Sequence, residues 1–345
     1  MIDPHVHLRD WQQAGKETIL HGMTVAAASG FTHLFDMPNT APPCTDRDTI
    51  ISRLADGGEG SEKTGVSYHL YAGLTADCDQ IHEMVEVHDE LFPLVVGLKM
   101  FAGQSTGNMG IIGYEKQLGV FKALAEAGYS GVLAVHCEKE ELMNPSLFIP
   151  GRWETHSLSR PAKAEVESVN DIVKAAAEAG YKGTLHICHV SAKGTVELVR
   201  ELRKSVPFRI TMGATPHHAL LTAEDAKVHE RYLKMNPPLR SEEDREAVFQ
   251  ALVDGTIDWA ESDHAPHTIA DKENGASGIP GLPGMLLLAS RLRDAGCSEN
   301  RLDEIFGKKV QSVFSLSDSG PSVPQDAGTI YEKMAGEYPW NPFSC

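Results

Sequence analysis

Eight short apolar, β-rich runs alternate with helical stretches along almost the whole chain, and this rhythm constrains the fold more than any other feature. The runs are 2–8 (IDPHVHL), 31–37 (FTHLFDM), 66–74 (VSYHLYAGL), 93–101 (PLVVGLKMF), 132–137 (VLAVHC), 184–190 (TLHICHV), 208–213 (FRITMG) and 257–262 (IDWAES). Helix-like segments fall near 16–29, 45–56, 77–90, 114–128, 163–179, 193–204 and 241–254, with 284–295 and 299–307 after the last run. Regular alternation of this kind implies parallel strands joined by crossover helices. Eight units predict an α/β fold closed into a (β/α)8 TIM-type barrel, with an open doubly wound sheet as the alternative. Ser241–Asp244 and Thr222–Asp225 read as capping boxes that open helices. The Gly-rich pieces 57–65 (GGEGSEKTG) and 103–113 (GQSTGNMGIIG) match neither a phosphate loop nor a dinucleotide fingerprint, and read as loops. The longest irregular stretches, about 138–162 and 264–283, each follow a late strand. In a barrel both would lie on the catalytic face.

A length of 345 residues suits one large barrel. The expected organisation is a single domain over 1–345, with 308–345 as a C-terminal tail packed on the barrel. Thirty-one Lys and Arg against 48 Asp and Glu give a formal charge of −17. A chain this acidic is a poor partner for nucleic acid or an anionic membrane, and an anionic substrate would have to be held by a local positive site. The six cysteines (44, 78, 137, 188, 297 and 345) show no C-x-x-C spacing, which fits a reducing compartment rather than a disulfide framework. The chain opens MIDP, without a basic region or a long apolar stretch, so a cytoplasmic location with no membrane span is expected.

The chemistry lies at the C-terminal ends of the runs. His5 and His7 are two residues apart on the first, so both imidazoles face the same way. Lys99 sits deep in the apolar fourth run, His136 and His189 end the fifth and sixth, and Asp263 follows the eighth. One buried His or Lys is ordinarily structural. Six ionisable or ligating groups at the ends of different strands are where barrel enzymes assemble active sites, and together they read as a metal site. A protonated ammonium has no lone pair for a metal, and burying one beside divalent ions is costly. Addition of CO2 to the neutral Lys99 amine would give an anionic carbamate able to bridge two ions. Cys137 and Cys188 adjoin ligand histidines, but period-two alternation sends both toward the helices as buried thiols. His217 and His218 are expected to hydrogen-bond locally at the barrel rim. His21, His33, His69, His82, His88, His156, His186 and His229 take structural readings.

With these residues in view, the chain resembles the dihydroorotases of the amidohydrolase superfamily. The matching pieces are Asp3-Pro4-His5-Val6-His7-Leu8-Arg9, Asp36-Met37-Pro38-Asn39-Thr40, Gly97-Leu98-Lys99, Val135-His136-Cys137-Glu138, His189-Val190-Ser191, Met235-Asn236-Pro237-Pro238-Leu239-Arg240 and Ser262-Asp263-His264-Ala265-Pro266-His267. They run in order over about residues 2–284, and the ordered set is far more specific than H-x-H alone. The resemblance implies two divalent ions, most commonly Zn2+, with His5, His7 and Asp263 on one, His136 and His189 on the other, and carboxylated Lys99 bridging. It implies Arg9, Asn39 and His267 for a substrate carboxylate, and Asn236 with the Gly278 region for further substrate contacts. Asp263 would act as general base and then acid. Many relatives carry a small β-sandwich built from both chain ends, and no pattern for one is visible here. The Asn-Pro-Pro-Leu-Arg stretch belongs to a branch in which the bridging lysine is often replaced by aspartate, yet this chain keeps Lys99.

The reaction so implied is reversible interconversion of (S)-dihydroorotate and N-carbamoyl-L-aspartate in pyrimidine synthesis. Two alternatives stand beside it. One is another cyclic-amide hydrolase of the hydantoinase or allantoinase kind, which does not usually place Arg directly after H-x-H-L. The other is a silent subunit scaffolding aspartate transcarbamoylase, although such subunits typically lose metal ligands and this chain keeps all six. A homo-oligomer is also expected to be compatible with the sequence.

Overall fold

The computed structural model describes residues 1–104, 109–317 and 322–344. Its strands are β1 (Ile2–Val6), β2 (His33–Asp36), β3 (Ser67–Gly73), β4 (Val95–Phe101), β5 (Val132–His136), β6 (Thr184–Ile187), β7 (Arg209–Ala214) and β8 (Trp259–Ala260). They pair in parallel in sequence order. The ring closes where His264 bridges Val6, with His7 N donating to His264 O at 2.8 Å. Strand runs rich in Val, Ile and Leu suit this arrangement because a parallel sheet is buried on both faces.

A long helix follows each strand: Ile19–Ala28, Arg47–Thr64, Cys78–Leu91, Tyr114–Glu126, Ala162–Glu178, Lys193–Leu202, Glu242–Asp254 and Gly284–Asp294, with shorter helices in the later loops. Several start on side-chain caps, of which Ser241 was expected from sequence. Thr18, Asp46, Asp77 and Ser241 each accept a backbone N–H with the side chain. Outward-facing strand residues such as Leu34, Leu98 and Val135 join the helices in the larger apolar cluster. Inward-facing Phe35, Tyr71, Val96 and Trp259 fill the barrel, closed from below by Val310 and Phe314 of the C-terminal stretch. That stretch also reaches the rim, where Tyr338 and Trp340 pack near His264 and Lys272. No helix among the described residues is long and apolar enough to cross a membrane.

Two sequence expectations need correction. Residues 57–64 are not a loop but the second half of the helix Arg47–Thr64, which ends on Gly65 in the left-handed region (φ 76°). The glycines let the helix pack closely: a Cβ on Gly57 would lie 2.2 Å from the Tyr68 ring, and one on Gly60 2.4 Å from Met23 Sδ. At Thr222–Asp225, Asp225 bonds back to Thr222, but only the four-residue helix Ala226–His229 follows. The complete reciprocal capping box lies instead at Thr268–Asp271. Of the 103–113 stretch, residues 105–108 lie outside the described residues.

Candidate active site

The strand ends bring five of the six expected ligands to one narrow cleft, lined by His5, His7, His136, His189 and Asp263 together with Arg9, Asn39, Asn236 and Gly278. Alternation along β1 and just past its end turns both histidines inward, and the strand's register against β2 shifts between Asp3 and Val6. His7 Nε2 is 3.0 Å and His5 Nε2 3.4 Å from Asp263 Oδ1, and the three residues form a group with metal-ligand spacing. Across the cleft, His136 Nδ1 and His189 Nε2 lie 3.1 Å apart. Two nitrogens each about 2.0–2.1 Å from one ion come about that close. His189 and Asp263 both have positive φ (37° and 46°), a strained conformation for non-glycine residues that concentrates at functional sites.

Lys99 is fully buried in the barrel below these ligands. Its Nζ donates to Cys188 Sγ at 3.1 Å and stands 4.9 Å from the Phe101 ring centre. It lies close enough to His5 and His189 to lower both imidazoles electrostatically. Cys188 therefore points into the barrel, not toward the helices. Alternation along β6 puts His186 and Cys188 inward, and positive φ at His189 turns the next side chain inward as well. Cys137, just past the end of β5, stays in the outer apolar layer as expected.

The groups behind the ligands orient them. His7 Nδ1 donates to Asn39 Oδ1 at 2.7 Å. His136 Nε2 donates to Glu138 Oε2 at 3.0 Å, and Arg160 holds Glu138 in turn. His5 Nδ1 is 3.5 Å from Glu261 Oε1. Glu261 also accepts from His186 Nε2 and Trp259 Nε1, making a buried polar floor beneath the site. Carboxylate or amide partners on the far nitrogen are the usual support of metal-binding histidines. Sequence reasoning missed Glu138 and Glu261 as supports, although each lies two residues from a ligand along the chain and the parity of the strand was available.

Electrostatics fit a cation site. Burial pushes the His7 imidazole down to about 4, and burial with the neighbouring His136, His5 and Lys99 charges holds His189 well below the ordinary range. Burial would raise the Asp263 carboxyl, but His7, His5 and His217 outweigh it and keep it ionised. His5 differs: burial and Lys99 push it down, yet Cys188 and Glu261 carry it up to about 10. A metal there competes with a proton and releases it on binding.

The substrate side lies on the rim. Arg9 is buried, with Nε donating to Pro266 O at 3.1 Å and an NH2 group 3.3 Å from His267 Nε2. Among the described residues it makes no ion pair with a carboxylate, so its charge is available to the cleft. Gly278 has φ 136°, and a Cβ there would sit 2.6 Å from Ala265 O and 2.9 Å from His267 Nε2, so only glycine fits. His156, given a structural reading from sequence, donates from Nε2 to Asn236 Oδ1 at 2.9 Å. His218 bonds Thr215 and Pro237 at the rim as expected, whereas both ring nitrogens of buried His217 lack a hydrogen-bond partner.

An eight-stranded barrel with this histidine–aspartate constellation defines a metal-dependent cyclic amidohydrolase. The comparisons agree. No family-level sequence profile matches the chain. Curated dihydroorotases do: one from Thermococcus kodakarensis is 36% identical over 82% of this chain and 59% of its own length. One from Bacillus cereus is 35% identical over 92% of this chain and 72% of its own length. One from Halobacterium salinarum is 31% identical over 99% and 81%. Among solved structures, the L-hydantoinase (dihydropyrimidinase) of Arthrobacter aurescens superposes with a TM-score of 0.80 at 25% identity, covering 94% of this chain and 72% of that one. The dihydroorotase of Campylobacter jejuni gives 0.68 at 19% identity, covering 92% and 84%, and supports the fold. The chain belongs to the dihydroorotase family.

Proposed function

We propose that this chain interconverts (S)-dihydroorotate and N-carbamoyl-L-aspartate at a pair of divalent ions, with Zn2+ the best match to the nitrogen-rich donor set. The observation that carries the reading is the pairing of the metal-spaced cluster with buried Arg9, a cation without a carboxylate partner, in one cleft. His5, His7 and Asp263 would hold one ion and His136 and His189 the other. Lys99, carboxylated by CO2, would bridge them. Such ions supply Lewis-acid polarisation of a carbonyl and make water acidic near neutral pH.

The protein's own groups do the rest. Asp263, kept ionised by its histidines, takes a proton from the attacking water and returns it to the leaving ring nitrogen. Arg9 grips the substrate carboxylate through charge-assisted hydrogen bonds, with Asn39 and His267 beside it. His7 Nδ1 donates to the Asn39 oxygen and so holds this side chain at the edge of the cleft. Asn236 and Gly278 complete the far wall. The working unit is read as one barrel domain over 1–345, with 308–345 packed against it, acting on a small molecule in the cytoplasm. A homo-oligomer or association with aspartate transcarbamoylase is compatible with this reading, and a free catalytic face is required of either.

The test is to follow ring opening of dihydroorotate on protein of measured metal content, then after chelation and after addition of zinc. Close to two ions per chain, loss on chelation and recovery with zinc are expected. Full activity with one ion or none would overturn the two-metal centre.

A further inference from the structure

Lys272 has no part in the chemistry described so far, yet it is fully buried. It sits on the short helix Ile269–Glu273, just behind the Thr268–Asp271 capping box. Its Nζ is 2.9 Å from each of three backbone carbonyls, those of Lys234, Ala276 and Gly278. Three N–H donors meet three acceptors, so the ammonium is fully satisfied. Among the described residues it has no counter-ion: Asp271 is turned back onto Thr268, and the Lys234 ammonium nearby is repulsive. Trp340 covers it, with the ring centre 5.9 Å from Nζ. Burying an unpaired charge is costly, and burial lowers this ammonium to about 7. An apolar side chain of similar volume would fill the space without that cost, so packing does not explain the residue.

The three carbonyls share a location. Lys234 immediately precedes Met235 and Asn236, and Ala276 and Gly278 flank Ser277. Met235, Asn236, Ser277 and Gly278 all line the cleft. The first pair comes from the loop after β7 and the second from the loop after β8, so nothing in the barrel sheet fixes their spacing. Local bonds already link them, with Gly278 N donating to Lys234 O at 2.9 Å and Lys234 Nζ to Gly275 O at 2.6 Å. Lys272 ties both loops at a single point.

We propose that Lys272 is a positioning residue for substrate, whose ammonium joins the loop after β7 to the loop after β8 and so sets the width of the cleft between Asn236 and Gly278. This rests on reading the cleft as the dihydroorotate site. The tether accounts for a buried cation whose three hydrogen bonds all go to backbone carbonyls of these two loops. It also explains how Gly278, at φ 136°, is kept in a conformation that loops rarely hold unaided.

Two variants separate a tether from a filler. Lys272→Met keeps length and apolar bulk but donates nothing. Lys272→Gln keeps two donors and is the poorer filler. The tether predicts KM for dihydroorotate raised about tenfold or more in Lys272→Met and less in Lys272→Gln. It predicts kcat within about threefold and unchanged metal content in both, since no ligand is touched. Hydrogen exchange without substrate should quicken at the Gly278 amide in Lys272→Met while β4 and β5 stay protected. An unchanged KM, a larger defect in Lys272→Gln than in Lys272→Met, or kcat and metal content falling together with affinity would overturn the proposal. So would failure of both variants to fold, which would assign Lys272 to stability. If the unaltered protein does not open dihydroorotate, the substrate reading fails alone, and the exchange comparison still tests the tether.

Discussion

The floor and the rim of the cleft are built on different principles. On the floor, ligands project from strand ends, each histidine but His189 has its second nitrogen aimed at an acceptor, and Lys99 and Glu261 are sealed from water. On the rim, Arg9, Asn236, His267 and Gly278 are held by loop carbonyls and by side chains from other loops, such as His156 and Lys272. On the proposed function, the sheet therefore fixes the chemistry and hydrogen bonds among the loops fix the substrate. Damage to the floor should remove turnover for every cyclic amide, and damage to the rim should change which amide is accepted.

The largest effect should come from the floor. Lys99→Ala removes the proposed bridging group and is expected to abolish measurable turnover and lower bound metal, with short carboxylic acids restoring part of the activity. Density for an unmodified Lys99 in a metal-loaded, active enzyme would exclude the carbamate. On the rim, Arg9→Met removes one side of a buried charge pair with substrate, worth about 2–5 kcal/mol. That is a fall of about 30- to several thousand-fold in kcat/KM for dihydroorotate at about 1.4 kcal/mol per decade. Dihydrouracil, which lacks the carboxylate, should lose far less, and equal losses on both substrates would make Arg9 structural.

Glu138→Gln tests the layer between floor and rim. Supports of this kind typically change metal affinity by about 10–100-fold, which chelator competition would read directly. An unchanged affinity would assign Glu138 to its partner Arg160 alone. The smallest effect is expected from His156→Ala. It removes one neutral hydrogen bond to Asn236, of about 0.5–1.5 kcal/mol, so KM should rise by about two- to tenfold at constant kcat. A fall in kcat instead would place Asn236 in the chemical step.

The same division explains what the sequence made legible. Barrel strands and helices follow from periodicity, and the six proposed ligands stood out because ionisable residues are conspicuous at the ends of apolar runs. Parity along a strand also placed Cys137 in the outer layer. It failed at Cys188 because backbone strain at His189 breaks the alternation, and φ is not written in the side-chain pattern. Gly57 and Gly60 read as loop residues because close packing on Tyr68 and Met23 is a tertiary fact. His156 and Lys272 were invisible for a related reason. Their partners are an amide about 80 positions away and bare carbonyls, which leave no local signature.

The most direct test of the whole account is turnover of dihydroorotate, hydantoin and allantoin side by side on one sample of known metal content. The account predicts that dihydroorotate is opened with by far the highest kcat/KM, and that its advantage disappears in Arg9→Met. Preference for hydantoin or allantoin in the unaltered protein would contradict it, and would make the cleft that of a different cyclic amidase.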